Sequence, residues 1–245
     1  MAHSAVHEEA SEAGALRRPD EIESMFDRIV GRYDTMNRLM TGGMDGRWRR
    51  EAARAAIGSG ATRVLDLATG TGDLALELAR QGVPLVIGAD FSGEMLRVAE
   101  RKLTEQHDAT IRLARGDAMQ LPFADHTFDA VTVAFGLRNM PNYAAAIAEM
   151  TRVLASGGRL VILEMTPLRQ PLLNRLFSLY FERAIPLMGG LISGNLDAYH
   201  YLPRSVSAFP PAGELAVMMR RAGLNTVRYQ LFSLGTVALH RGVKP

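Results

Sequence analysis

The chain has 245 residues, 47% of them hydrophobic, which suffices for one well-buried core and makes a single domain the expectation. It contains no Cys, so disulfides, thiolate catalysis and Cys-based zinc sites are excluded. The formal charge is only +2, and although the sequence pI is near 9.1, Lys and Arg are spread along the chain, so no nucleic-acid footprint is evident.

Residues 1–20 lack the apolar core of a secretory signal and read as a polar, weakly ordered tail ahead of one domain at 21–245. From residue 63 onward, short β-rich runs alternate with helical periodicity, the pattern of a parallel sheet covered on both faces. Strands are predicted at 63–67, 85–90, 111–114, 128–134 and 159–164, with helices at 73–80, 92–105 and 143–154. Residues 167–210 interrupt this pattern with a helical, aromatic-rich stretch, after which a helix at 212–222 and strands at 226–232 and 236–240 complete the sheet. The fold class is therefore α/β, doubly wound, with seven mostly parallel strands. Arg175, Glu182, Arg183 and Pro186 break the longest apolar runs before the ~18 residues a spanning helix requires. A cytoplasmic protein is expected.

The first strand leads into Asp66-Leu67-Ala68-Thr69-Gly70-Thr71-Gly72-Asp73. Gly70 and Gly72 let the backbone pass close beneath a ligand at a helix N-terminus, which suits a nucleotide-like molecule. Gly70-x-Gly72-x-x-Ala75, with Asp90 further on, also fits the dinucleotide fingerprint. Asp66 and Asp73 favour a different ligand, because they repel a diphosphate and attract an ammonium or sulfonium. S-adenosylmethionine carries both cations and no phosphate. The alternative is that Asp73 only caps its helix and Asp66 only shapes the turn. Asp90 ends the second strand, where a carboxylate can accept from ribose hydroxyls, and Gly116-Asp117-Ala118 ends the third, placed to receive an adenine.

The ordered set of Asp66 with the Gly loop, Asp90, Gly116-Asp117-Ala118, Phe128-Asp129-Ala130-Val131 and Gly157-Gly158-Arg159-Leu160 resembles the class I methyltransferases. Residues 25–244 are more specifically similar to the C-methyltransferases of menaquinone and ubiquinone biosynthesis. The likeness rests on Met25-Phe26-Asp27, Arg32-Tyr33-Asp34-x-Met36-Asn37, Trp48-Arg49, Phe135-Gly136-Leu137-Arg138-Asn139, Leu163-Glu164 and Tyr199-x-Tyr201-Leu202. Two departures stand out: Ala134, where some members carry a Ser that reaches the cofactor, and Thr69, where others have Gly.

The resemblance implies S-adenosylmethionine as cofactor, bound by Thr71, Asp90, Asp117 and Ala118 with Asp66, Gly70 and Gly72 of the loop. Tyr33 is expected to fold over it within a helical lid at 21–60. The implied reaction moves a methyl group to a ring carbon of demethylmenaquinol; a ubiquinone precursor quinol is the alternative acceptor, and a dinucleotide-binding oxidoreductase the alternative class. Arg138, Asn139 and His200 are the catalytic candidates: Arg138 stays protonated and suits a phenolate or a water that takes the proton, and His200 lies between Tyr199 and Tyr201. The remaining His residues lie in the tail, in presumed loops or, for His240, in a strand where a structural role is expected. No metal is implied. A prenylated acceptor further suggests that the apolar segment 171–203, with 36–44, lines its entrance and brings the protein to the inner face of the membrane. A homodimer is left open.

Overall fold

The computed structural model describes residues 14–58, 60–106, 109–168 and 196–245. The chain opens with three helices, α1 (Pro19–Ile29), α2 (Tyr33–Thr41) and α3 (Asp45–Ile57). The alternating region follows as β1 (Arg63–Leu67), α4 (Asp73–Arg80), β2 (Leu85–Asp90), α5 (Gly93–Gln106), β3 (Ile111–Arg115), β4 (Phe128–Ala134), α6 (Tyr143–Val153) and β5 (Leu154–Met165). After the segment outside the described residues come α7 (Leu196–Ala208), α8 (Ala212–Arg221), β6 (Asn225–Phe232) and β7 (Val237–Val243). Most of the apolar segment 171–203 expected at the acceptor entrance lies outside the described residues.

The seven strands are ordered β3-β2-β1-β4-β5-β7-β6, parallel except for β7, which runs antiparallel to β5 and to β6. Chain order reverses between β1 and β4, which opens a crevice at their carboxyl ends, the place where ligands bind in open α/β sheets. Because side chains alternate across a strand, Leu65, Leu67, Leu160 and Ile162 enter the layer formed with Tyr143, Ile147 and Met150 of α6 and Leu215 and Met219 of α8. Val64, Ala130, Val161 and Leu163 face the opposite layer, where Ala52, Ala53 and Ala56 of α3 pack beside Leu74 and Leu78 of α4. Each fully buried Leu or Ile contributes roughly 1.5–3 kcal/mol through apolar burial.

β5 begins earlier than its expected start at 159. Leu154 already lies opposite Phe128, and the register then shifts so that Arg159 lies opposite Ala130. Residues 155–158 thus oppose Asp129 alone, a bulge relieved by Gly157 at φ +77°. Ordered structure also reaches into the expected tail: the Ala15 amide donates to the Met140 carbonyl at 2.8 Å, and α1 starts at Pro19. Among the described residues no helix is long and apolar enough to cross a membrane.

Candidate active site

The turn after β1 requires unusual backbone conformations, with Ala68, Gly70 and Gly72 at φ +51°, +57° and +84°. Gly72 precedes α4, where a Cβ would come within 3.3 Å of the Ala99 Cβ. At the end of β4 the approach is closer still, since a Cβ on Gly136 would sit 2.5 Å from the Ala68 Cβ. Gly136 thus lets the ends of β1 and β4 converge on a cavity, while Gly72 lets the start of α4 pack against α5.

That cavity is lined by Leu67, Ala68 and Gly70 after β1, by Asp90, Phe91 and Ser92 after β2, by Gly116, Asp117 and Ala118 after β3, and by Ala134, Phe135, Gly136 and Asn139 after β4. Ile22, Glu23 and Phe26 of α1 and Tyr33 of α2 form its roof. Asp90 is held rigidly, one carboxylate oxygen accepting from the Gly70 amide at 2.7 Å and the other from the Ser92 amide at 2.9 Å. Burial raises its pKa, opposed by these backbone bonds. Among the described residues, the charged ones of the lining are Glu23, Asp90 and Asp117, with no Lys or Arg. An acidic cavity of this kind disfavours a diphosphate and fits a ligand bearing an ammonium and a sulfonium.

Of the residues expected at the cofactor, Gly70, Asp90, Asp117, Ala118 and Tyr33 line this cavity, as does Asn139, which was expected on the acceptor side. Asp66, Thr71 and Gly72 do not. Asp66 points beneath the loop, accepting from Thr69 Oγ1 at 2.6 Å and from Thr132 Oγ1 at 2.8 Å. Its burial pushes the pKa up to about 6 against those two bonds. Thr69, which departs from the family's Gly, thereby satisfies a buried acid. Thr71 donates from Oγ1 to Asp34 at 2.6 Å, so it anchors the lid. Asp73 is corrected likewise: its charge is met by Lys102 Nζ at 2.9 Å and by Arg49 at 4.0 Å, and it does not face the cavity.

A second, larger cavity of about 720 Å³ adjoins the first and shares Tyr33 and Phe135 with it. Its walls are mostly apolar, with Met40 and Met44 from the lid, Trp48 from α3, Met165 and Leu168 after β5, and Leu202, Leu234 and Val237 from the C-terminal part. Phe135, at φ +59°, packs on Trp48 with ring centroids 6.1 Å apart.

Arg138 lines this cavity from the 3-10 turn Leu137–Asn139 and is only 6% exposed. Its Nη1 donates to the Glu164 carboxylate and to the Phe135 carbonyl, each at 2.6 Å. Burial opposes the charge, and Glu164 together with Tyr33 and Tyr201 more than offsets this, so the pKa of Arg138 is raised. His200 is exposed and lines neither cavity, whereas its neighbour Tyr201 is buried and donates to Asn139 Oδ1 at 3.2 Å. One residue along α7 turns the side chain by about 100°, so the inward position belongs to the tyrosine. His240 is buried in β7 with Nε2 2.8 Å from the Ala212 carbonyl, in the structural setting expected of it.

Several contributors escaped sequence reasoning. Asp34, Lys102 and Asp73 form an ion cluster, Ser92 Oγ donates to Asp27 at 2.6 Å, and Glu164 sits beneath Arg138. Asp27, Asp34 and Glu164 stood within the family-like motifs, yet spacing alone gave no sign of their partners. Among the described residues no group of three or more metal-ligating side chains occurs.

The sheet with its antiparallel β7, the glycine turn at the switch point and the cation-free acidic cavity define a class I S-adenosylmethionine-dependent methyltransferase. The (4+2) cyclase SpnF shares this fold, with a TM-score of 0.72 at 19% identity over 96% of this chain and 99% of its own. The model of the ubiE/COQ5 methyltransferase family matches residues 15–244, and the chain belongs to that family. It is 49% identical to the demethylmenaquinone methyltransferase of Thermus thermophilus over 90% of this chain and 100% of that protein. It is 43% identical to the ubiquinone/menaquinone biosynthesis C-methyltransferase UbiE of Geobacter sulfurreducens, covering 92% of this chain and 89% of the relative.

Proposed function

We propose that this chain transfers the methyl group of S-adenosylmethionine to a ring carbon of demethylmenaquinol. The observation that carries the reading is the pair of adjoining cavities, one acidic without a cation and one large and apolar, which meet at Tyr33 and Phe135. Bound in the acidic cavity, S-adenosylmethionine supplies an electrophilic methyl group.

Asp90 is placed for the ribose hydroxyls, with its two oxygens fixed by backbone amides. Asp117 and Ala118 are placed for the adenine, and Phe26 and Tyr33 exclude water from above. Thr71 supports the site indirectly by holding Asp34. On the acceptor side, Trp48, Phe135 and the lid methionines accommodate an apolar ring and tail. Arg138 stabilises negative charge on the acceptor oxygen as its proton passes to water and electron density moves to the ring carbon. That carbon takes the methyl group as its bond to sulfur breaks, releasing S-adenosylhomocysteine, and the ring hydrogen it replaces leaves as a proton to water to restore the aromatic ring. The ring must be reduced, because an oxidised quinone is electrophilic and has no oxyanion to drive the attack. Methyl transfer from labelled cofactor should thus proceed with the quinol and not the quinone; equal turnover of both would rule out this mechanism. Assaying a ubiquinone precursor quinol in parallel identifies the preferred acceptor.

A membrane approach is supported by apolar residues at and near the mouth of the larger cavity. Leu234, 82% exposed, and Met44, 46% exposed, both line it, and Leu39 is exposed on the neighbouring α2. Replacing Leu234 with Asp should reduce co-sedimentation with phospholipid vesicles, and unchanged sedimentation would remove this surface from the reading.

A further inference from the structure

Glu164 is 1% exposed at the end of β5 and makes three hydrogen bonds, two to Arg138 in the Leu137–Asn139 turn and one to its own strand neighbour. Its Oε1 accepts from Arg138 Nη1 at 2.6 Å and from the Met165 amide at 2.9 Å, and its Oε2 accepts from the Arg138 amide at 3.3 Å. The guanidinium and the backbone of the same residue are therefore gripped by one carboxylate. With Nη1 committed to Glu164 and the Phe135 carbonyl, the Arg138 Nε is buried without a hydrogen-bond partner among the described residues. Leaving that donor unpaired is costly, so the grip of Glu164 on the rest of the group is what holds the guanidinium in this place.

We propose that Glu164 is a positioning residue, which holds the Arg138 guanidinium at the wall of the larger cavity, where it meets the acceptor oxygen. This rests on the quinol-methylation reading for its chemistry, though the geometry of the clamp does not depend on it. Glu164 touches neither cavity, so it acts through Arg138 alone. Ion pairing with a fixed carboxylate also keeps the buried site near neutrality until the acceptor loses its proton, so the interaction is concentrated in the transition state.

The test is a double-mutant cycle with Glu164→Gln and Arg138→Ala, read as kcat, KM and affinity for S-adenosylhomocysteine. Glu164→Gln keeps the shape, but its amide nitrogen cannot accept from the Arg138 or Met165 amides. We expect kcat to fall at least tenfold, KM to change less than threefold and S-adenosylhomocysteine affinity to stay within twofold. In the Arg138→Ala background the same substitution should cost less than a further twofold, since coupled residues are non-additive. An equal loss in both backgrounds, or a matching loss of S-adenosylhomocysteine affinity, overturns the proposal. A second readout needs no acceptor: in protein carrying 15N-arginine, the resonance absent from Arg138→Lys should show slow Nε–H exchange that Glu164→Gln accelerates. Unchanged exchange refutes the clamp. Failure of the wild type to methylate any quinol would refute the functional reading while this exchange measurement still decides the role of Glu164. Should Glu164→Gln not fold, Glu164→Asp, which keeps the charge and shortens the reach, takes its place in both measurements.

Discussion

Lys102 Nζ lies 2.5 Å from Asp34 Oδ2 and, on its other side, 2.9 Å from Asp73 Oδ1. One ammonium on α5 therefore ties the lid helix α2 to the first turn of α4, beside the turn that lines the acidic cavity. Asp34 also accepts from Thr71, so the lid and the glycine loop are joined through the same carboxylate. The groups are about a quarter exposed, so each pair is worth roughly 0.5–1 kcal/mol and is screened by salt. Lys102→Met should speed dissociation of S-adenosylhomocysteine about threefold. In stopped-flow measurements the wild-type rate should rise with salt concentration, while that of the variant should be nearly flat.

Asp90 offers a second test, on affinity. Asp90→Ala removes the charged acceptor and leaves the Gly70 and Ser92 amides without their partner. Calorimetry should show cofactor affinity weakened by roughly 1–3 kcal/mol. Unchanged affinity would take Asp90 out of the binding site.

His240 governs acid stability. Burial lowers its pKa to about 4, with the Ala212 carbonyl opposing. The folded-state value lies below the unfolded one, near 6.5, so its contribution is fully present above pH 6.5 and is lost as pH falls through about 4. His240→Gln should flatten part of that decline, by about 2–3 kcal/mol, when denaturation midpoints are compared between pH 7 and pH 4. Parallel curves for the two proteins would contradict the buried neutral imidazole.

Asp66 has the opposite sign. Its folded-state pKa of about 6 exceeds the ordinary 3.8, so protonation favours the fold and that advantage is lost as pH rises through 6. The stability of Asp66→Asn relative to wild type should therefore improve between pH 4 and pH 7, by on the order of 2 kcal/mol. A constant difference across that range would show that the carboxyl titrates normally.

The entrance to the larger cavity can be probed at Met40, a half-buried lid residue on its wall. Met40→Asn should raise the KM for a long-tailed quinol severalfold and leave that for a short-tailed analogue nearly unchanged. Equal increases for both would indicate general loosening of the lid.

Features set within a few residues were legible in the sequence. Strand and helix alternation follows from hydrophobic periodicity, so β1, β2 and β4 fall where it placed them. The glycine turn was visible because positive φ has a local steric cost that Gly70 and Gly72 avoid. Asp90 was identifiable because a strand-terminal carboxylate following such a turn faces the crevice at the switch point.

The sequence did not disclose which polar groups satisfy one another across the sheet. Asp66 could have faced a ligand, until the register of β1 against β4 put Asp66 opposite Thr132 and gave its carboxylate a buried partner. The helical phase of α7 likewise decided between His200 and Tyr201, turning the tyrosine to Asn139 and leaving the histidine in solvent. Arg138 was expected to meet a phenolate or a water, and only the parallel pairing of β4 with β5 brought Glu164 beneath it. Local periodicity and backbone sterics act over a few residues and are written in the sequence, whereas these partners are 26 to 66 positions apart and become neighbours only when strand register and helix packing are fixed.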